Sequence, residues 1–225
     1  MMNLIKRDKA CHFLGYLCAA FLYVCAGNTH ALEFQVTDNK GNSLEDAVVM
    51  IISKNGQSLS ANEKEKVMID QRDKEFAPYM TALSVGSYAV FPNNDKIRHQ
   101  VYSFSDAKKF EIPLYKDAPE QPINFDKTGV VALACNIHDW MKAYIFVSPT
   151  PLYAITNLQG KAKINNLPEG QLEVQVWHPR LKGKPESTSQ TISSSSTQTL
   201  SFKIDTKRIW RAHRAPSQAA SGGYR

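Results

Sequence analysis

The chain has 225 residues, 43% of them hydrophobic, and its 27 Lys and Arg against 21 Asp and Glu give a net charge of +6. This length allows one large domain or two small ones. Much of the basic excess lies at the C-terminal end, in Lys207, Arg208, Arg211, Arg214 and Arg225. That segment does not interleave aromatic with base-reading side chains, so nucleic-acid binding is not expected. Its Gly, Ser and Ala content predicts a disordered basic tail over 207–225.

The N-terminal 31 residues are predicted to be a signal peptide. Lys6, Arg7 and Lys9 precede a nearly unbroken apolar run over 13–26, and small residues follow up to Ala31. The run is shorter than the roughly 20 apolar residues that a membrane-spanning helix needs. We therefore expect a periplasmic protein without stable membrane insertion once the signal is removed.

Cysteine usage points to a chemical role for one thiol. Cys11, Cys18 and Cys25 all lie in the predicted signal, which leaves Cys135 alone in the exported chain. Lipidation at Cys25 is the weaker alternative, because the three residues before it are not small. A single cysteine in an exported protein cannot form an internal disulfide, and it pairs with another chain or uses its thiol chemically.

Beyond residue 31 the sequence predicts an all-β protein. Short runs of alternating polar and apolar residues are separated by Gly, Pro, Asn and Asp. The clearest predicted strands cover 32–36, 47–52, 87–91, 130–133, 143–147, 161–164 and 171–177. Only 60–67 has a weak helical pattern. The Ser- and Thr-rich segment 187–199 fits a linker as well as a polar loop into an edge strand through Leu200, Phe202 and Ile204. The predicted class is one or two β-sandwiches.

A candidate metal site lies between two of these strands. Cys135, His138 and Met141 follow one another within a short loop, and His99 precedes a strand well upstream. One thiolate, two imidazoles and a weak thioether form the ligand set of an electron-transfer copper site. Zinc also accepts Cys and His, but structural zinc sites close with a fourth Cys or His and catalytic ones keep a position for water. Methionine in the fourth place therefore favours copper.

The spacing Asn94-x4-His99, then Cys135-x2-His138-x2-Met141, resembles the cupredoxins, the family of blue copper proteins. The short ligand loop is most similar to that of the amicyanins, and the chain as a whole is similar to exported cupredoxins often labelled methylamine utilisation proteins. The resemblance implies a cupredoxin Greek-key β-sandwich over 66–148 that holds one type I copper ion, Cu(I) or Cu(II).

The same resemblance implies a role for each candidate residue. His99, Cys135 and His138 would be the equatorial ligands, and Met141 the axial one. His138 would also be the electron port, and redox protein partners would dock near His138 and Trp140. Two residues depart from the family pattern: Asp139 replaces a proline of the amicyanin loop, and Gln100 replaces a common asparagine. His178 precedes a proline far from these ligands, and we expect it to have a surface or structural role.

Two further stretches resemble the small β-sandwich of carboxypeptidase-regulatory and prealbumin-like domains. One begins at Val36 and the other at Thr156. We therefore predict one such sandwich built from 32–65 and 149–206, with the copper domain inserted in it. The alternative is a longer cupredoxin from Leu32 followed by a separate C-terminal module. In the inserted arrangement, the strands of the first stretch should pair with the Val174 strand and not with the strand at 87–91.

The leading functional hypothesis is a periplasmic one-electron carrier that is not an enzyme. We place no Ser-His-Asp set, phosphate loop or paired catalytic carboxylates in the sequence, and an axial Met141 would leave no open position for substrate. A copper storage or delivery protein is the first alternative, and it would bind copper in a labile, weakly coloured form. The second alternative is a structural or recognition sandwich with a redox-silent metal.

Overall fold

A computed structural model of the protein describes residues 31–53, 64–117, 121–195 and 198–207. The predicted signal and the predicted basic tail lie outside these residues, except for Ala31 and Lys207. The described residues form strands and one short 3-10 helix, Pro185–Thr188, so the all-β prediction is confirmed. The strands are β1 (Leu32–Asp38), β2 (Val48–Ser53), β3 (Lys66–Met68), β4 (Asp70–Arg72), β5 (Glu75–Ala77), β6 (Met80–Ser84), β7 (Tyr88–Val90), β8 (His99–Ser105), β9 (Lys108–Tyr115), β10 (Ile123–Asn124), β11 (Gly129–Cys135), β12 (His138–Ser148), β13 (Tyr153–Ile155), β14 (Lys161–Ile164), β15 (Gln171–Trp177), β16 (Gln190–Ser193) and β17 (Leu200–Ile204).

A five-stranded sheet in the order β6-β12-β11-β8-β9 carries the predicted ligands. Alternate residues of its strands face a core, as the period of two along a strand requires. Val131, Leu133 and Ile145 of this sheet share one buried cluster with Phe91 and Phe125. The other side of this cluster comes from the three-stranded sheet β10-β7-β3 and the β4–β5 hairpin. Together these elements enclose the core of a β-sandwich.

A second set of sheets is built from both ends of the described chain. One has the order β14-β1-β17 and the other β13-β2-β15-β16. In the second, Val49 pairs with Val176, and Ile51 pairs with Val174. The expectation is met for β2 only, because β1 pairs with β14 and β17 and not with the Val174 strand; no described residue of 32–53 pairs with β7. This pairing supports the proposal that residues 66–148 are inserted between two parts of one sandwich, whose carboxypeptidase-regulatory identity stays a prediction.

Two local predictions differ from the structure, and one open alternative is decided by it. For the Ser- and Thr-rich segment the edge strand is found, since Leu200–Ile204 forms β17 at the edge beside β1. The described part of the segment also contains β16, Gln190–Ser193, on the exposed edge beside β15. Lys66 and Val67 belong to β3 and not to a helix, since pairing with β7 outweighs their weak helical pattern. β12 begins at His138, so the predicted ligand loop is a tight hairpin turn instead.

Aromatic packing joins the two sets of sheets. The ring of Trp177, at the end of β15, lies 5.4 Å from Phe146 and 6.0 Å from Tyr144, both on β12. Met80, Ala82 and Phe146 are therefore buried in the core of the second set. The ligand-bearing sheet is thus covered on both faces along β6 and β12. None of the described helical residues forms a segment long and apolar enough to cross a membrane.

Candidate metal centre

The β11–β12 hairpin brings two of the predicted ligands together. Cys135 is the last residue of β11, His138 is the first of β12, and the two are paired across the turn. The strand register shifts between Ala134 and Cys135. Such a bulge re-aims the side chain that follows it. Cys135 is accordingly buried on the core side of the sheet, in the same cluster as Leu133.

The third ligand comes from the neighbouring strand β8. His99 is its first residue and is completely buried. Its Nδ1 lies 3.8 Å from the Cys135 Sγ, and the Nδ1 of His138 lies 3.9 Å from the same sulfur. One possible ligand atom from each of the three residues lies within 4.8 Å of the others, and the imidazole centroids are 5.0 Å apart. The three soft and intermediate donors therefore converge on one point.

The donor separations test which metal geometry the group fits. With bonds of about 2.3 Å to a thiolate and about 2.05 Å to an imidazole, a metal ion holds the two donors about 3.8 Å apart at an angle of about 120°. A tetrahedral angle of about 109° would bring them to about 3.55 Å. The observed 3.8 and 3.9 Å are separations that one metal ion bonded to the thiolate and to each imidazole can span. One thiolate and two imidazoles are the equatorial donors of an electron-transfer copper site.

Met141 lies three residues after His138 on β12. Its side chain is fully buried and belongs to the same core cluster as Cys135. Three of the four predicted ligands thus form one group, and the fourth lies in the core that surrounds it. Met141 as the axial ligand stays a proposal.

A carboxylate orients His99. The Oδ2 of Asp95 accepts a hydrogen bond from the Nε2 of His99 at 2.8 Å, so the Nδ1 lone pair is free to face the sulfur. Burial of Asp95 favours its protonated form, but the hydrogen bonds from His99 and from the Lys74 N–H outweigh burial and hold the pKa of this carboxyl below its ordinary value. A metal-binding imidazole is thus held in one tautomer and one orientation.

His138 is only partly buried and is covered by Trp140. The two ring centroids are 5.0 Å apart, and the Trp140 Nε1 donates to the carbonyl oxygen of Lys74 at 3.1 Å. Burial lowers the pKa of His138, and the nearby charges of His99 and Lys74 lower it further. The neutral imidazole is therefore favoured, which is the form that binds a metal.

Several singled-out residues lie away from this group. Gln100 points away from the core and donates to Glu111 at 2.6 Å, so it makes no bond to the ligand loop. Asp139 is exposed. His178 is buried rather than on the surface, and its nitrogens bond to the Glu45 carbonyl and the Arg180 N–H, which is a structural role.

The sequence did not identify two contributors to the site. Asp95 lies four residues before His99, and that short spacing is a signal that could have been read. Lys74 lies far from every ligand in sequence, and its hydrogen bonds at the site come from its backbone groups, which leave no trace in residue type.

Comparison with known proteins gives similarity at the level of solved structures. A scan of protein-family models and a search of curated proteins each find no match. A purple cupredoxin from Nitrosopumilus maritimus is 20% identical over 36% of this chain and 99% of its own, with a TM-score of 0.33. A reduced amicyanin variant is 15% identical over 44% of this chain and 98% of its own, with a TM-score of 0.33. A copper-containing nitrite reductase from Thermus scotoductus SA-01 is 25% identical over 40% of this chain, with a TM-score of 0.36, and this chain covers 24% of it.

The site and the sheets that carry it can be compared with the needs of a copper ion. A buried thiolate and two imidazoles converge, and the carboxylate of Asp95 fixes one imidazole. The ligands lie on adjacent strands of one β-sandwich. This all-β fold and this donor set suit one copper ion, and the chain is similar to the cupredoxins named above.

Proposed function

We propose that the protein is a periplasmic type I copper protein that carries one electron at a time between redox partners. The observation that carries this proposal is the convergence of Cys135, His99 and His138, of which the first two are buried and the third partly buried. A mixed thiolate and imidazole set accommodates both Cu(I) and Cu(II). Electron transfer then requires little movement of the ligands.

In this function the two histidines have different roles: one keeps the site rigid, and the other connects it to the surface. His99 is completely buried and bonded to Asp95, so it holds one side of the site in place. His138 lies at the partly exposed edge and is the proposed electron port. When bound, copper supplies the one-electron couple. Met141, as the axial ligand, would complete the site without an open position, so the proposal includes no substrate turnover.

The surface beside the port supports docking of a partner protein. Ile137 is 50% exposed and Ile97 is 39% exposed, although both are apolar. Trp140 adds an aromatic surface next to His138. Exposed apolar residues at the edge of a buried redox centre favour brief contact with another protein and a short transfer distance. We propose that redox partners dock at this surface.

A potentiometric titration of the copper-loaded protein tests the carrier function. We expect full and reversible conversion between Cu(II) and Cu(I) as a one-electron process, with copper retained in both states. A storage or delivery protein would instead lose copper to a competing chelator on the same timescale. A redox-silent metal would contradict the proposal outright.

Docking is tested by electron self-exchange between oxidised and reduced copies, followed by NMR line broadening. Ile137→Asp should slow exchange while leaving the absorption spectrum unchanged, because a charge would disrupt the contact but not the ligands. The matched control is Leu158→Asp, since Leu158 is 71% exposed on the other set of sheets. Equal exchange in the wild-type protein and Ile137→Asp would place the contact elsewhere.

A further inference from the structure

The β4–β5 hairpin contacts both halves of the metal centre through the backbone of a single residue, Lys74. Asp73 and Lys74 form its two-residue turn, between the paired residues Arg72 and Glu75. Both turn residues have positive φ, +52° and +59°. This is the backbone of a tight type I′ turn, which points its peptide groups in fixed directions.

One side of Lys74 reaches the buried histidine. Its backbone N–H donates to the Oδ2 of Asp95 at 2.7 Å, and the same oxygen accepts from the Nε2 of His99 at 2.8 Å. Asp95 is itself fixed, because its N–H donates to the side chain of buried Asn93 at 3.0 Å. Movement of the Lys74 N–H would therefore be felt directly at the oxygen that orients His99.

The other side of Lys74 reaches the exposed histidine. Its carbonyl oxygen accepts from the Trp140 Nε1 at 3.1 Å, and the Trp140 ring lies against the His138 ring with centroids 5.0 Å apart. Trp140 and His138 are two residues apart on β12, so their side chains lie on the same side of the strand. The indole is thus held by Lys74 and in turn limits the rotation of His138.

We propose that the backbone of Lys74 is a clamp that sets the relative position of His99 and His138. Asp95 transmits the clamp to His99, and Trp140 transmits it to His138. These are positioning residues, because none of them is a proposed ligand. The inference rests on the proposed copper function for its purpose, but the clamp itself is a property of the chain without metal. Its consequence is a ligand pair already spaced for copper, so that copper enters and changes oxidation state without reorganising the site.

Substitutions at Trp140 and Asp95 weaken the clamp from opposite ends. Trp140→Phe removes the indole N–H together with the second ring, and it keeps one aromatic ring against His138. Asp95→Ala removes the acceptor of both the Lys74 and His99 hydrogen bonds, whereas Asp95→Asn keeps an oxygen acceptor and removes the charge. Lys74→Asn is the matched control, since Asn tolerates positive φ and preserves both backbone groups.

The test is amide and indole hydrogen exchange, measured by NMR on the full exported chain, both copper-free and Cu(I)-loaded. Trp140→Phe should speed exchange of the Lys74 amide roughly two- to tenfold, as expected for the loss of one hydrogen bond. Asp95→Ala should speed exchange of the Trp140 indole N–H at the other end, and Asp95→Asn should have a smaller effect. Lys74→Asn should leave indole exchange unchanged. In loaded protein, Trp140→Phe should also release copper to a chelator faster than Lys74→Asn does.

Two results would overturn the clamp. The first is an unchanged exchange rate of the Lys74 amide in Trp140→Phe, together with an unchanged exchange rate of the Trp140 indole N–H in Asp95→Asn. Asp95→Asn serves here because it keeps the shape of the side chain and should fold even where Asp95→Ala does not. The second is an equal effect of Lys74→Asn, which would assign the role to the Lys74 side chain. Because exchange is also measured without copper, a failure of the copper function and a failure of the clamp give different results.

Discussion

Among single residues, Met141 has the proposed role that is tested most directly. It is fully buried in the core that contains Cys135, so Leu fits the site with little change in volume. Compared with Leu, which donates nothing, an axial thioether gives electron density to the ion, and this benefits the more highly charged Cu(II) more than Cu(I). Met141→Leu should therefore raise the reduction potential while keeping copper and an intense visible band. Potentiometry with optical detection measures both, and an unchanged potential would remove Met141 from the ligand set.

Asp38 is a residue whose ionisation should stabilise the fold. The Asn42 side-chain amide is the main cause that lowers the pKa of Asp38, and the backbone N–H groups of Asn42 and Lys40 add to it, while burial opposes it. A folded-state pKa below the unfolded value, near 4, gives stability that is present above that value. The stability is lost as pH falls through the folded-state pKa.

Asp38→Asn should therefore be less stable than the wild-type protein at neutral pH, and the difference should shrink in acid. Thermal unfolding from pH 7 down to pH 3 measures it. Asp106→Asn, at an exposed turn on the other set of sheets, is the control for removal of a surface charge. A difference that grows in acid would contradict the sign of the linkage.

At the scale of elements, the turn before β14 depends on a glycine that contacts β1. Gly160 has a φ of +72°, and a Cβ on it would lie 2.5 Å from the backbone oxygen of Val36. Gly160→Ala therefore combines backbone strain with a clash that only a backbone shift can relieve. We expect a loss of about 2 to 4 kcal/mol in the free energy of unfolding.

Chemical denaturation measures this loss, and Gly170→Ala is the matched control. Gly170 also has a positive φ, +112°, but a Cβ there would meet nothing within 4 Å. It should show only the strain, about 1 kcal/mol. Equal losses in the two variants would show that the Val36 contact does not matter.

Strands whose own sequence alternates between polar and apolar residues could be predicted, whereas strands defined only by pairing with a neighbour could not. β14 and β15 were predicted with the observed bounds, because the sequence of each alternates between polar and apolar residues, even though both faces of β15 are buried towards its end. β16 was not predicted, since its polar residues follow an edge and only pairing with β15 defines it. The grouping of Cys135 with His138 followed from sequence proximity. The Lys74 contacts could not be predicted, because backbone groups in a turn carry no side-chain signal.

At the scale of the whole molecule, we propose that the two sets of sheets unfold together because Trp177 joins them. Its ring packs on Phe146 and Tyr144 of the ligand-bearing sheet, and it is 8% exposed. Trp177→Ala should cost about 3 to 5 kcal/mol. It should also divide one unfolding transition into two. Copper should then raise the midpoint temperature of only the transition that belongs to residues 66–148.

Calorimetry with and without copper measures this coupling. Phe104→Ala is the control. Phe104 lies on the same face of the ligand-bearing sheet as Tyr144 and Phe146, but it is 77% exposed. Phe104→Ala should leave a single unfolding transition and change the free energy of unfolding little. Two transitions in the wild-type protein would show that the sets of sheets are energetically independent.

The central claim is the type I copper centre, and the visible absorption spectrum of the chain from residue 32 onward, titrated with Cu(II), tests it most directly. We predict an intense thiolate-to-copper band that saturates at one equivalent, is absent in Cys135→Ser and is retained in Met141→Leu. A protein that stays colourless, or whose colour does not depend on Cys135, would contradict the copper centre and the electron-carrier function with it.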